Sequence, residues 1–171
     1  MRVVRSLDQS MTFSVVCFAG DVKPYKTALV QANDLEKERA IKFIQEHNPG
    51  LNIVAERKAA ERADAGFKPS AGGTSVTKFN HAGTRAWAAM EYAFSMNPDV
   101  VCLVSDGVPT DKPANVFLKD VTDKQKELPR PAVINVVAYL ADSGQQFMKD
   151  LAEQNQGSFK EIKPGMQSFG F

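Results

Sequence analysis

The sequence predicts an α/β domain with a doubly wound, mostly parallel sheet and helices on both faces. Three observations lead there. Short runs such as "TFSVVCFAG", "VVCLVSDG" and "VINVVAYL" are apolar throughout, as strands covered on both faces are. Stretches with helical periodicity alternate with them. Glycine, Pro-Gly and Asn-Pro signals separate one element from the next. The 171 residues, 43% of them hydrophobic, suit a single domain over 1–171 with a core of its own.

Each element has a local reason. "TFSVVCFAG" places a strand at 12–18, closed by glycine, and the weaker alternation of "YKTALVQA" places an edge strand at 25–31. In "NDLEKERAIKFIQEHNPG", Asn33 is a cap, Glu36 stands three positions on, and Leu35, Ala40, Ile41 and Ile44 form one apolar face before a Pro-Gly stop. The Ala-, Glu-, Arg- and Lys-rich "LNIVAERKAAERADAGF" reads as a more exposed helix, an insertion at about 51–70. After the Gly-rich "KPSAGGTSV", the stretch "GTRAWAAMEYAFSM" predicts a helix packed over much of its surface that stops at "NPD". A strand at 100–105, a helix in "NVFLKDVTDKQKEL", a Pro-bounded turn and the strand "VINVVAYL" follow. The helix "GQQFMKDLAEQNQG", ending on glycine, and the short strand "SFKEI" close the pattern.

Charge and composition exclude several function classes. With 21 basic and 20 acidic residues the formal charge is +1, so no broad field draws the chain to nucleic acid or an anionic membrane. No apolar stretch nears the ~20 residues that span a bilayer, and "MRVVRSLDQSM" lacks the apolar core of a secretory signal. A soluble, cytoplasmic protein is expected. Cys17 and Cys102 lie inside strand-like runs and are expected to pack as small hydrophobes.

The residues that could carry catalysis have plainer readings. "SAGGTS" lacks the Gly-Lys-Ser/Thr ending of a phosphate-binding loop. His47 and His81 have no second histidine at metal-ligand spacing and no nucleophile in view. Asp99 and Asp106 stand at opposite ends of one strand and cannot act as a carboxylate pair, while Asp111 reads as a helix cap or loop acid. In a doubly wound sheet, ligands gather just beyond the carboxyl ends of the strands, and Asp106 lies at such an end.

Four segments in order, "LVQANDLEKERAIKFIQEHNPG", "GGTSV", "NPDVVCLVSDGVPTD" and "INVVAYLADSGQQFMKDLAEQNQGSFKEI", resemble the von Willebrand factor type A domain, a Rossmann-like fold, in its bacterial forms. The resemblance covers nearly the whole chain apart from the insertion. It implies a metal-ion-dependent adhesion site, in which magnesium at the carboxyl edge of the sheet is completed by an acidic group of a partner protein. Thr74 of "GGTSV" and Asp106 of "VSDG" match two of its oxygens. A hard ion that keeps several waters suits such a set of carboxylates and hydroxyls with one position left open.

The family's third contribution, an Asp-x-Ser-x-Ser run after a first strand, is not found. "DQSMT" offers Asp8, Ser10 and Thr12 at that spacing, but a strand begins at once behind it, so Asp8 is expected in a turn that follows the end of a helix in "MRVVRSL". The central strand of the family's sheet, between those matching 12–18 and 100–105, is then missing, and magnesium binding is expected to be weak or absent. The gap is closed by direct pairing of 12–18 with 100–105, filled by another molecule, or domain-swapped; alternatively, the natural chain is longer and Met1 is an internal start. The expected function is that of a protein-binding adhesion or scaffold module without enzyme activity, self-association through the gap included. A metal-assisted hydrolase on the same edge and a purely structural assembly subunit with a vestigial metal site are the alternatives.

Overall fold

The computed structural model describes residues 2–47, 83–139, 141 and 143–163. The predicted insertion at 51–70, together with Thr74 and His81, lies outside the described residues. The chain is a mixed α/β protein whose larger half is a parallel three-stranded sheet with helices beside it.

The smaller half comes first. Helix α1 (Arg2–Ser6) leads to a turn in which Met11 N–H donates to the Asp8 carbonyl at 3.0 Å. Strands β1 (Thr12–Phe13) and β4 (Val30–Gln31) pair antiparallel, as do β2 (Val16–Phe18) and β3 (Val22–Pro24). The strands expected at 12–18 and 25–31 are thus two arms of one interrupted hairpin and not members of a parallel sheet. Ala19, Gly20 and Asp21 alone separate β2 from β3, with Ala19 N–H donating to the Asp21 carbonyl at 2.8 Å. So short a connection can only reverse the chain, because a parallel crossover needs a dozen residues or more. Five residues on one arm face two on the other between the paired segments, which breaks each arm in two.

Helix α2 (Asp34–His47) closes over this hairpin and buries Ala40 and Ile41 against Val4, Phe13 and Ala32. Asn33 is its cap as expected, with Oδ1 accepting from Glu36 N–H at 2.9 Å. The Glu36 carboxylate turns away from the cap and accepts from the Tyr25 hydroxyl at 2.6 Å, which ties α2 to the hairpin.

In the larger half, α3 (Ala86–Ser95) precedes β5 (Val100–Ser105), and α4 (Ala114–Glu127), β6 (Val133–Tyr139), α5 (Gln145–Gln154) and β7 (Phe159–Ile162) follow. The sheet order is β5-β6-β7, all parallel, with Val100 opposite Val133 and Val136 opposite Phe159. Two right-handed crossovers running the same way along a sheet put both helices on one face. Leu103, Ile134, Val136 and Ala138 share that face and meet Met90 and Phe94 of α3, Phe117 and Val121 of α4, and Met148 and Leu151 of α5. The Phe117 ring stands edge-on between Trp87 at 5.4 Å and Phe147 at 5.1 Å, so one fully buried aromatic joins all three helices. Each such side chain contributes about 1.5–3 kcal/mol of transfer free energy.

The opposite face differs from expectation. Val100, Cys102 and Val104 alternate along it and all three are exposed, the two valines at 56% and 52%. Their apolar character suggested cover on both sides; on this face Val137, opposite Val104, is buried, but the three β5 residues are not. Cys102 is accordingly a surface residue, although desolvation by its apolar neighbours holds its thiol above the usual range. Cys17, expected to pack as a small hydrophobe, is half-buried, and burial pushes its thiol up to about 11.

Candidate functional site

The carboxyl end of the sheet is built from the chain that leaves β5 and the starts of α3 and α5. Ser105, the last residue of β5, is buried, and its hydroxyl donates to the Gly107 carbonyl at 3.1 Å, which turns the chain sharply after the strand. Asp106 sits at that turn with its side chain exposed and no hydrogen bond or ion pair among the described residues. It is where the sequence places it, at the lip of β5. Thr74, the other predicted ligand, lies outside the described residues.

The segment behind Asp106 is braced on two sides. Thr110 N–H donates to the Thr84 carbonyl at 2.9 Å, and Thr84 N–H donates to Thr110 Oγ1 at 2.7 Å. Asp111 accepts from the first-turn amides of α3, Trp87 N–H at 3.3 Å and Ala88 N–H at 3.1 Å. Those amides have no intrahelical partner, and the helix dipole favours a carboxylate there. Asp111 is therefore a cap, as its sequence context suggests, but of the preceding helix. Lys112 pairs with Asp120 and lies over the Trp87 ring at 3.6 Å, adding a cation–π contact to the brace. On the other side, Gly144 adopts φ +82°, and a Cβ there would come within 2.6 Å of Val108 Cγ1. The loop that carries Asp106 is thus held against the starts of both neighbouring helices.

Val104, Val108 and Tyr139 are all exposed at the same end of the sheet. None of the three carries a motif, so they escape a search for reactive residue types; the only signal is an apolar residue just beyond a strand. Two concavities in the described residues lie elsewhere, one lined by Gln125, Ala132 and Asn155 and one by Arg5, Leu35 and Lys42, and neither includes Asp106.

Asp8 has the role expected of a turn residue. Its Oδ1 accepts from Ser10 N–H at 2.8 Å and from the Ser10 hydroxyl at 2.6 Å, and these bonds hold its carboxyl below the usual range. Asp99 is at the far end of β5, where it pairs with Arg130 at 2.9 Å. His47 ends α2, with its ring nitrogen 2.8 Å from the Phe43 carbonyl. Among the described residues no three His, Cys, Asp or Glu side chains come together as metal ligands. Asp106 is the one predicted magnesium ligand that lies within the described residues.

No protein-family profile and no curated protein matches this chain. Among the described residues, no helix is long and apolar enough to cross a membrane.

Proposed function

We propose that the chain is a protein-binding module, resembling a von Willebrand A domain, that takes its partner at the carboxyl edge of the sheet around Asp106. The observation that carries this reading is an exposed carboxylate on a braced loop, with Val104, Val108 and Tyr139 exposed at the same end of the sheet. An apolar patch with one fixed charge suits a partner surface, where the charge sets register and the apolar rim supplies area. It suits catalysis poorly, because no base or nucleophile is bonded to Asp106 among the described residues. The resemblance adds that Asp106 and Thr74 would be the residues to hold a magnesium ion in a partial adhesion site, which would supply an open position for an acidic side chain of the partner.

The test is affinity capture on the immobilised chain and on Asp106→Ala, in magnesium and in a chelator. A protein retained in stoichiometric amount by the natural chain and lost from the variant, with unchanged melting, is the expected result. Turnover of a phosphate or ester substrate that Asp106→Ala abolishes would favour a hydrolase instead. An edge of β5 that pairs with no strand among the described residues supports a second reading, an assembly role in which the sheet itself receives the partner.

A further inference from the structure

Asp106 is the one aspartate of the chain followed by glycine, and no asparagine is followed by one. An aspartyl carboxyl can be attacked by the backbone nitrogen of the next residue, because the two lie close enough along the chain to close a small cyclic imide. Closure needs a carboxyl that nothing holds and a nitrogen that nothing crowds. The turn after β5 supplies both.

Asp106 is exposed and makes no hydrogen bond or ion pair among the described residues. Other acids of this half are engaged: Asp99 pairs with Arg130, Asp111 accepts from the first turn of α3, Asp120 pairs with Lys112, and Asp123 pairs with Lys119 and Lys126. Such bonds favour the charged carboxylate and fix its direction. Asp106 has no such restraint.

The nitrogen is equally open. A Cβ built on Gly107 would meet no atom within 4 Å. The Gly107 N–H reaches Ser105 Oγ at 3.4 Å, longer than the about 2.7–3.2 Å of an ordinary N–H···O bond. Glycine also lets the backbone pass through conformations that a side chain would bar. On either side the chain is fixed, since Ser105 pairs with Ala138 in the ladder and Val108 lies against Gly144. The Asp106–Gly107 peptide bond is the loose link between two anchors.

We propose that Asp106 and Gly107 form a modification site at which the chain isomerises with age from an aspartyl to an isoaspartyl linkage. The neutral carboxyl is the electrophile. Gly107 N bonds to Asp106 Cγ and gives up its proton, the carboxyl hydroxyl leaves, and the two depart together as water. Water then opens the imide. Attack at Cγ restores aspartate, whereas attack at the Asp106 backbone carbonyl breaks the original peptide bond and leaves the chain running through Cβ and Cγ. Nothing is oxidised or reduced, and the product has the mass of the starting chain. It carries its carboxylate directly on a main chain that is one carbon longer between Ser105 and Val108, so the acid leaves the place where the brace presents it. Loss of partner binding with age follows on the protein-binding reading; the chemistry does not depend on that reading.

The test is to age the full chain at mildly acidic pH in water enriched in heavy oxygen, beside a free peptide of the same local sequence, VSDGVP. Isoaspartate should appear as methyl groups transferred by an isoaspartyl methyltransferase, with heavy oxygen gained at Asp106 and loss of cleavage there by an endoprotease that cuts before aspartate. The folded chain should react within about tenfold of the free peptide, because the link lies between the braced elements and not in them. Gly107→Ala, where the methyl group has room and φ is outside the left-handed region, should fold normally and slow the reaction about tenfold or more. Three outcomes overturn the proposal: a folded chain slower than the peptide by more than that margin, label that maps to another aspartate and not to Asp106, or an unchanged rate in Gly107→Ala. Capture at the carboxyl edge should fall as isoaspartate accumulates and hold steady in aged Gly107→Ala. A chain that captures nothing even when fresh would count against the partner reading alone, since the modification is read without it.

Discussion

The side-chain amide of Gln125 pairs with both polar groups of the Ala132 backbone, accepting from its N–H and donating to its carbonyl, each at 2.7 Å. Its nitrogen also donates to Asn155 Oδ1 at 2.9 Å, and Asn155 in turn donates to the Leu151 carbonyl at 2.7 Å. Gln125 and Asn155 are both buried at 8% exposure. A helix side chain thus does what a neighbouring strand would do, fixing the entry to β6 while joining α4 to α5.

Gln125→Leu should therefore cost more than its loss of one side-chain amide suggests. It leaves Ala132 N–H, Ala132 C=O and Asn155 Oδ1 short of partners, and a buried orphan costs about 1–3 kcal/mol. A loss of about 2–4 kcal/mol in urea unfolding, with an unchanged slope, is expected. A loss under about 0.5 kcal/mol would mean that water replaces the amide.

A second prediction concerns the end of α5. The glycine of "NQG" reads in sequence as the left-handed cap residue, but Gln156 holds φ 57° and Gly157 N–H donates to the Ala152 carbonyl at 2.9 Å. Gly157 is needed for space, since a Cβ there would overlap the Ile134 carbonyl. Gly157→Ala should shift the backbone between α5 and β7 and lower stability by about 1–3 kcal/mol. Gln156→Gly should be neutral or stabilise by up to about 1 kcal/mol, because it relieves the left-handed strain. Equal losses at the two positions in thermal unfolding would contradict this division of roles.

The contrast between these residues shows what the sequence made legible. Asn33, the Asn-Pro stop, and the apolar periods of α3, β5 and β6 act within a few residues, and each of these elements appears close to its expected place. "TFSVVCFAG" failed as a single strand because apolar content reports burial and not the pairing partner; the three-residue turn at Ala19–Asp21 decides that, and "AGD" was its local sign. Gln125 looks like an ordinary polar helix residue, as its buried role depends on Ala132 and Asn155 arriving from elsewhere in the chain. The exposure of Val100 and Val104 was equally hidden, since a strand's composition cannot say whether a second layer covers it. At the candidate site Asp106 was legible through its place after β5, whereas its brace of Thr84, Thr110 and Gly144 is tertiary.

The Tyr25–Glu36 pair gives a pH prediction. Burial, then the bond to Glu36, pushes the Tyr25 phenol up to about 12 from 10.0, and the same bond, then Arg39, holds the Glu36 carboxyl below the usual range. A raised acid in the folded state contributes stability below its unfolded pKa and loses it as pH rises toward the folded value. A lowered carboxyl contributes above its unfolded value and loses stability as pH falls through the folded one. The pair should thus stabilise from above the ordinary carboxylate range up to about pH 10. Ultraviolet titration should show one of the three tyrosines ionising near 12, absent in Tyr25→Phe and shifted down in Glu36→Gln. An unmoved transition in Glu36→Gln would show that burial alone raises it.

The last prediction separates the braced loop from the carboxylate it presents. Asp111 accepts from two first-turn amides of α3, so Asp111→Ala should cost about 0.5–2 kcal/mol, as loss of a helix cap does. Asp106 is exposed with no partner among the described residues, so Asp106→Ala should leave unfolding within about 0.5 kcal/mol of the natural chain. Magnesium divides the two further. One carboxylate competes poorly with water for a hard ion, and calorimetry on the full chain with magnesium or manganese should show no tight binding. Were a micromolar dissociation constant found, Asp106→Ala would decide its origin: lost with the carboxylate, it would mean that further oxygens gather at this edge and complete a metal site. Asp111→Ala should then weaken that binding as well, because the loop would no longer be held to α3, whereas an ion bound elsewhere would be indifferent to both substitutions.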